Sequence, residues 1–135
     1  MRFAKVVFLI AGVYGLIVLL PQYFLEHRVA VDSPPPITHP EYYYGFIGVA
    51  VAWQVLFIVL SRNPARYRPM MIPAMLEKIG FPIAVAILYF QGRVAPTILP
   101  PAAADLILLV LFIVAYRKTA ASRRSAVSNP SVNDS

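Results

Sequence analysis

The residues with the most chemical promise are Glu77 and Lys78, an acid beside a base inside Pro69–Gln91, PMMIPAMLEKIGFPIAVAILYFQ. The segment is long and apolar enough to cross a bilayer. A charge at bilayer depth costs about 2.5–3.5 kcal/mol on insertion scales, so it needs a partner, an interfacial position or a task. With the inner boundary near Met70–Pro73, Glu77 lies roughly 6–10 Å inside it. The preceding apolar run ends near Leu60 and carries Gln54 at ~9 Å from the same boundary. The expected contact is a Gln54–Glu77 hydrogen bond, with Trp53 alongside as a π-face. Lys78 is expected to reach back to the inner interface along its own stem. Trp53, Gln54, Glu77 and Lys78 are therefore the candidate intramembrane polar site. Its chemistry is acid–base, proton or ligand binding in one reading. In the other it is a structural bond between helices.

A second polar set falls toward the other membrane face. Asp105 is the one charge inside the last apolar run and follows shortly after Pro101. It can stabilise a helix N-terminus by its negative charge, or meet His39, Glu41 and Arg93 in a candidate outer-face polar site. Glu77 and Asp105 are thus expected near opposite faces, not as a pair of catalytic carboxylates. No residue is assigned as catalytic. The pairs His39/Glu41 and Glu26/His27 match no zinc spacing, and no metal or other cofactor is expected. There is no Gly-rich phosphate loop, Ser-centred elbow or HExxH. Cysteine is absent, which removes disulfides and thiolate chemistry.

The elements that must position these residues follow from composition. The chain has 135 residues, 59% hydrophobic and 13% charged, against roughly 45–50% and about 25% in soluble proteins. Mean hydropathy is +0.68. A helix needs about 20 apolar residues to cross a ~30 Å hydrocarbon core. Four stretches qualify, at about 3–25, 42–60, 70–90 and 100–116. The expected fold is all-α, a membrane-spanning four-helix bundle over residues 1–120 followed by a disordered polar tail at 121–135. The first span has the basic start and apolar centre of a signal peptide. Arg28-Val29-Ala30 is a poor cleavage site, so a retained helix is expected.

Between the spans, Pro34-Pro35-Pro36 predicts an extended segment. Thr38 and Glu41 have capping-box spacing at the start of span two, and Tyr42, Tyr43 and Tyr44 sit where an interfacial aromatic belt belongs. Asn63-Pro64 reads as an N-cap and first helical position, of a short interfacial turn or of an early start to span three. Gly80 and Pro82 predict a bend in span three. Ala11/Gly15, Gly48/Ala52 and Gly80/Ala84 have the four-residue spacing that lets membrane helices approach closely, within the bundle or in a homo-oligomer.

Charge sets the expected orientation. Ten of the twelve Lys and Arg residues precede span one, lie between spans two and three or early in span three, or follow span four. Arg28 and Arg93 alone occupy the other two connections. The positive-inside rule then places both termini in the cytoplasm. This accounts for most of the +6 net charge without nucleic acid, and the expected partners are the bilayer and anionic lipid headgroups at its inner face.

Pro21-Gln22-Tyr23-Phe24, His39-Pro40-Glu41-Tyr42-Tyr43-Tyr44-Gly45-Phe46, Arg66-Tyr67-Arg68-Pro69 and Leu76-Glu77-Lys78 form a recognisable set. Together they resemble a family of small, uncharacterised four-span bacterial integral membrane proteins, over roughly residues 1–118. The resemblance implies a bacterial inner (cytoplasmic) membrane and brings no activity with it. In size and span count the chain is also similar to sterol-isomerase-like and DoxX-like four-helix proteins, from which no site residue transfers. Three readings of function follow. The first is a non-enzymatic accessory protein or a binder of a lipid-like ligand. The second is an intramembrane enzyme on an apolar substrate. The third is an oligomeric proton-coupled transporter using Glu77. An accessory role predicts satisfied polar groups and no cavity; the enzyme needs a pocket reaching Glu77.

Overall fold

The computed structural model describes residues 2–128. Among them every regular element is helical: α1 (Arg2–Leu19), α2 (Glu26–Asp32), α3 (Pro40–Arg62), α4 (Met71–Phe90) and α5 (Leu99–Ser128). With their flanking tight turns, α1, α3, α4 and α5 are each long and apolar enough to cross a membrane. α1 packs chiefly on α3 and α4 on α5, while α1 also meets α5 and α3 touches α4 over a short stretch.

Proline punctuates the chain. Pro21 ends α1 in a 3-10 turn, Leu20–Phe24. Ahead of the three prolines the loop forms the short helix α2, and Pro34, Pro35 and Pro36 themselves are non-helical. Proline is tolerated in a first helical turn, where its missing N–H would have no partner anyway. Pro40 occupies that position in α3, with His39 as the preceding cap residue. The expected Thr38–Glu41 capping box does not form: no side chain caps this end, and Glu41 Oε1 lies 3.3 Å from His39 Nδ1 instead. Asn63 caps as expected, its Oδ1 accepting from the Arg66 N–H at 3.2 Å, over a short turn rather than a long helix. Pro100 and Pro101 lie in the first turn of α5. α5 then continues to Ser128, well beyond the expected end of the span near Tyr116. This corrects the expectation of a disordered tail over 121–128. The remainder of that tail, 129–135, lies outside the described residues.

The core is aromatic and lies toward the end where α1 begins. Phe8, Phe57 and Phe112 are fully buried. The Phe8–Phe112 centroids are 4.4 Å apart, and Phe57 meets Phe112 edge-on at 5.1 Å. Ala4, Ala11, Ala74 and Ala115 fill in around them. Each aromatic pair contributes roughly 0.5–1.5 kcal/mol beyond its buried area. Such packing matters because lipid gives apolar faces no incentive to leave it. Accordingly Ile17, Val49, Leu76 and Ile107 all point outward.

Glycine brings α1 against α3. A Cβ on Gly12 would stand 2.6 Å from Ile58 Cγ1 and 2.8 Å from the Gln54 carbonyl. A Cβ on Gly15 would overlap the Gln54 side chain. Of the three expected small-residue pairs, only Ala11/Gly15 is used in this way. Gly80 has open space around it, and Ala52 and Ala84 face outward.

Basic residues gather at one end. Lys118 Nζ sits 4.4 Å from the Phe3 ring centroid, joining the far part of α5 to the start of α1. Arg68 donates from Nε and Nη2 to the Tyr116 carbonyl, at 3.4 and 3.3 Å. The α1 start, the α3–α4 connection and the outgoing α5 therefore share an end.

Candidate functional site

At the polar centre of the bundle, Lys78 stands between two acids. Its Nζ is 3.4 Å from Glu77 Oε2 and 3.3 Å from Asp105 Oδ1. The Lys78 side chain is 7% exposed, and those of Glu77 and Asp105 are 20% and 21% exposed. Lys78 therefore does not run to the interface as expected; it points inward to Asp105. The expectation that Glu77 and Asp105 lie near opposite faces is likewise overturned. The connection explains why. Gly92 adopts a positive φ of 69°, and the Arg93 N–H bonds back to the Leu88 carbonyl at 2.9 Å. The chain reverses there and starts back along α4 before α5 begins. Lys78 lies fourteen residues before Gly92 and Asp105 thirteen after it, so the hairpin brings them level.

Gln54 is also at this depth, 2% exposed. Its Nε2 donates to the Ala50 carbonyl at 3.0 Å, one turn back on its own helix. The expected Gln54–Glu77 hydrogen bond is not made. Gln54 Oε1 and Glu77 Oε2 are both buried without a hydrogen-bond donor; the latter has only the ion-pair approach of Lys78. Pro82, inside α4, has no N–H to offer the Lys78 carbonyl one turn earlier, which loosens the helix beside the pair.

These groups face a cleft of about 320 Å³ between the helices. α1 gives it Tyr14, Gly15 and Val18. α3 gives Phe46, Ala50 and Gln54; α4 gives Glu77, Lys78 and Phe81. Pro101, Ala104 and Asp105 of α5 complete the wall. Phe57 bounds the polar end, its ring centroid 5.3 Å from Lys78 Nζ, and the aromatic core lies beyond it. The other end, at Gln22, Phe46 and Ile98, lies where α1 stops and α3 and α5 start. The cleft is thus polar at its inner end and apolar along its length.

Trp53 does not line it. It packs against the core, 6.5 Å from Phe57, so the ring beside Lys78 is Phe57 and not Trp53. The outer-face set also separates. His39 pairs with Glu41 at 3.3 Å, Arg93 bonds Gln91 at 3.3 Å, and Asp105 belongs to Lys78. Among the described residues no group of three His, Asp or Glu side chains is placed to hold a metal ion.

With all three groups ionised, Glu77, Lys78 and Asp105 sum to one negative charge. Buried ion pairs persist only when their remaining valences are met. Here acceptors exceed donors: two carboxylates and an amide oxygen face one ammonium. Such a site attracts a hydroxyl, an ammonium or a proton. The near-equal distance of Lys78 and Asp105 from Gly92 was the sequence signal that could have paired them. Nothing in the sequence marked Tyr14 or Phe81, and Phe46 was marked only as part of the His39–Phe46 stretch. No protein-family model matches this chain, and no curated protein or solved structure shows significant similarity to it.

Proposed function

We propose that this chain is a multi-pass protein of a bacterial inner membrane, both termini cytoplasmic, that binds a small amphiphile head-first in the interhelical cleft. The resemblance to small four-span bacterial proteins and the distribution of Lys and Arg support the location and orientation. One observation carries the activity: an apolar cleft ends on two buried acceptors without a hydrogen bond, Gln54 Oε1 and Glu77 Oε2, the second met only by the ion-pair approach of Lys78. A ligand head bearing a hydroxyl or primary amine supplies what is missing, and Tyr14, Phe46 and Phe81 face its tail. The volume sits at the lower end of the roughly 300–1,000 Å³ range of ligand pockets. A closed accessory bundle would have neither the cleft nor the orphan acceptors.

The absence of cysteine makes the test clean. A single thiol is introduced by Ala104→Cys on the cleft wall, with lipid-facing Ile107→Cys as control. Maleimide labelling is then followed in nanodiscs containing octylamine, 1-octanol or octane. Octylamine and octanol should slow labelling at position 104, and octane should not. Glu77→Gln should remove the protection given by octylamine. Equal protection by all three probes would make the cleft a non-selective apolar gap and end this reading.

The same triad supports a second reading, an intramembrane enzyme with Glu77 as acid or base, because its Oε2 carries no hydrogen bond. Conversion of the bound amphiphile, rather than simple protection, distinguishes it. The aromatic packing of Phe8, Phe57 and Phe112 beyond the polar end weighs against a transport path through the bundle.

A further inference from the structure

Beyond the central cleft, a second concavity of about 540 Å³ lies at the basic end of the bundle, beside the part of α5 that outruns its span. Arg117 and Arg124 are seven residues apart on α5. That is two helical turns, ~10.5 Å, on one face. Between them stand Ala120 and Ala121, whose small side chains leave a trough. Arg68 closes the side from the α3–α4 connection. Its guanidinium lies 3.7 Å from the Tyr116 ring centroid, and Nε and Nη2 both donate to the Tyr116 carbonyl. Arg68 is therefore held in place while Nη1 is uncommitted.

We infer that this trough is a binding site for one anionic phospholipid, its phosphate between Arg68, Arg117 and Arg124 over the Ala120–Ala121 floor and its glycerol and upper acyl region toward Tyr116 and the apolar part of α5. Three arginines share the trough, and among the described residues none lies within ion-pair distance of an acid. Like charges held together need an anion. Guanidinium is suited to phosphate because its planar donors match two oxygens at once. A lipid is favoured over a soluble phosphate because the trough has an apolar floor and adjoins the end of the apolar part of α5. A general attraction of basic residues for an anionic surface would require no trough and no fixed guanidinium.

The test is native mass spectrometry of the full chain released from detergent, titrated with phosphatidylglycerol or phosphatidylcholine. The chain should retain one phosphatidylglycerol in preference to phosphatidylcholine. Arg68→Gln/Arg124→Gln should bind it roughly tenfold or more weakly than Lys5→Gln/Arg62→Gln, which removes the same charge at the same end outside the trough. Ala121→Leu, which keeps every charge but fills an exposed part of the floor, should also weaken binding. Helicity by circular dichroism checks that each variant folds. Equal loss in the two double variants, full binding by Ala121→Leu, or displacement of the lipid by equimolar glycerol phosphate would overturn the inference.

Discussion

The side-chain amide of Gln54 occupies the space that a Cβ on Gly15 would need. α1 can lie close to α3 only because position 15 has no side chain, and that approach also fixes the amide at the end of the cleft. Gly15→Ala must displace Gln54 within a packed interface, an overpacking that costs about 1–3 kcal/mol. Thermal unfolding in detergent should show a clear loss of stability. Pairing it with Gln54→Ala should recover part of the loss, since neighbouring substitutions are not additive. Gly80→Ala, with open space around it, should be neutral or stabilising by at most about 1 kcal/mol.

The charge balance around Lys78 makes a sharper prediction. Two acids share one base, so either acid can be neutralised and leave a one-to-one pair. Glu77→Gln and Asp105→Asn should each change stability by less than about 1 kcal/mol. Lys78→Met leaves two acids without their shared base, and the double variant Glu77→Gln/Asp105→Asn strands the ammonium. Each should cost about 3 kcal/mol, the scale for breaking a buried ion pair by removing one side. Unfolding titrations in mixed micelles would measure all four. Additive effects of the two acid substitutions would show that Lys78 does not depend on either acid.

The spans were legible because lipid imposes a crude rule, about 20 apolar residues per crossing, and all four stretches obey it. Depth was harder to read. Counting inward from assumed boundaries placed Gln54 beside Glu77, yet the contact failed. Depth along an axis says nothing of azimuth, and the Gln54 amide turns to its own helix at Ala50. Asp105 was misplaced because the last span was expected to start only near position 100, which put Asp105 in its outermost turns. In the structure the chain has already turned at Gly92 and started back along α4. Charge was attributed to topology where part of it is local. Arg68 does lie at the basic end, but its guanidinium stacks on Tyr116, a contact between residues 48 positions apart that no local pattern announces.

Orientation can be read directly. Ser33, beyond α2, and Ser122, in the outgoing part of α5, are both exposed and lie at opposite ends of the bundle. With the basic end facing the cytoplasm, Ser33→Cys should react with a membrane-impermeant maleimide in intact cells. Ser122→Cys should react only after permeabilisation. The reverse pattern would invert the protein and place the Arg68 trough on the outer surface.

The mouth of the cleft lies beside a small tyrosine lattice, and this gives the last prediction. Tyr44 Oη donates to Glu26 Oε2 at 2.7 Å and its ring stacks on Tyr23 at 6.2 Å. Tyr43 Oη donates to the Gln22 carbonyl at 2.7 Å. Gln22 itself lines the cleft, so these two hydroxyls tie α2 and the end of α1 to the first turns of α3 at the opening. α2 is too short to hold its shape alone, since isolated helices under ~12–15 residues are marginal in water. Tyr43→Phe/Tyr44→Phe should therefore speed amide exchange at Val29 and Ser33, whose N–H groups close α2, while leaving exchange in the middle of α3 unchanged. In the Ala104→Cys background it should also speed maleimide labelling, because the opening is no longer held. Unchanged exchange in α2 would mean that the ring contacts alone dock it, and that the hydroxyls have no part in controlling access.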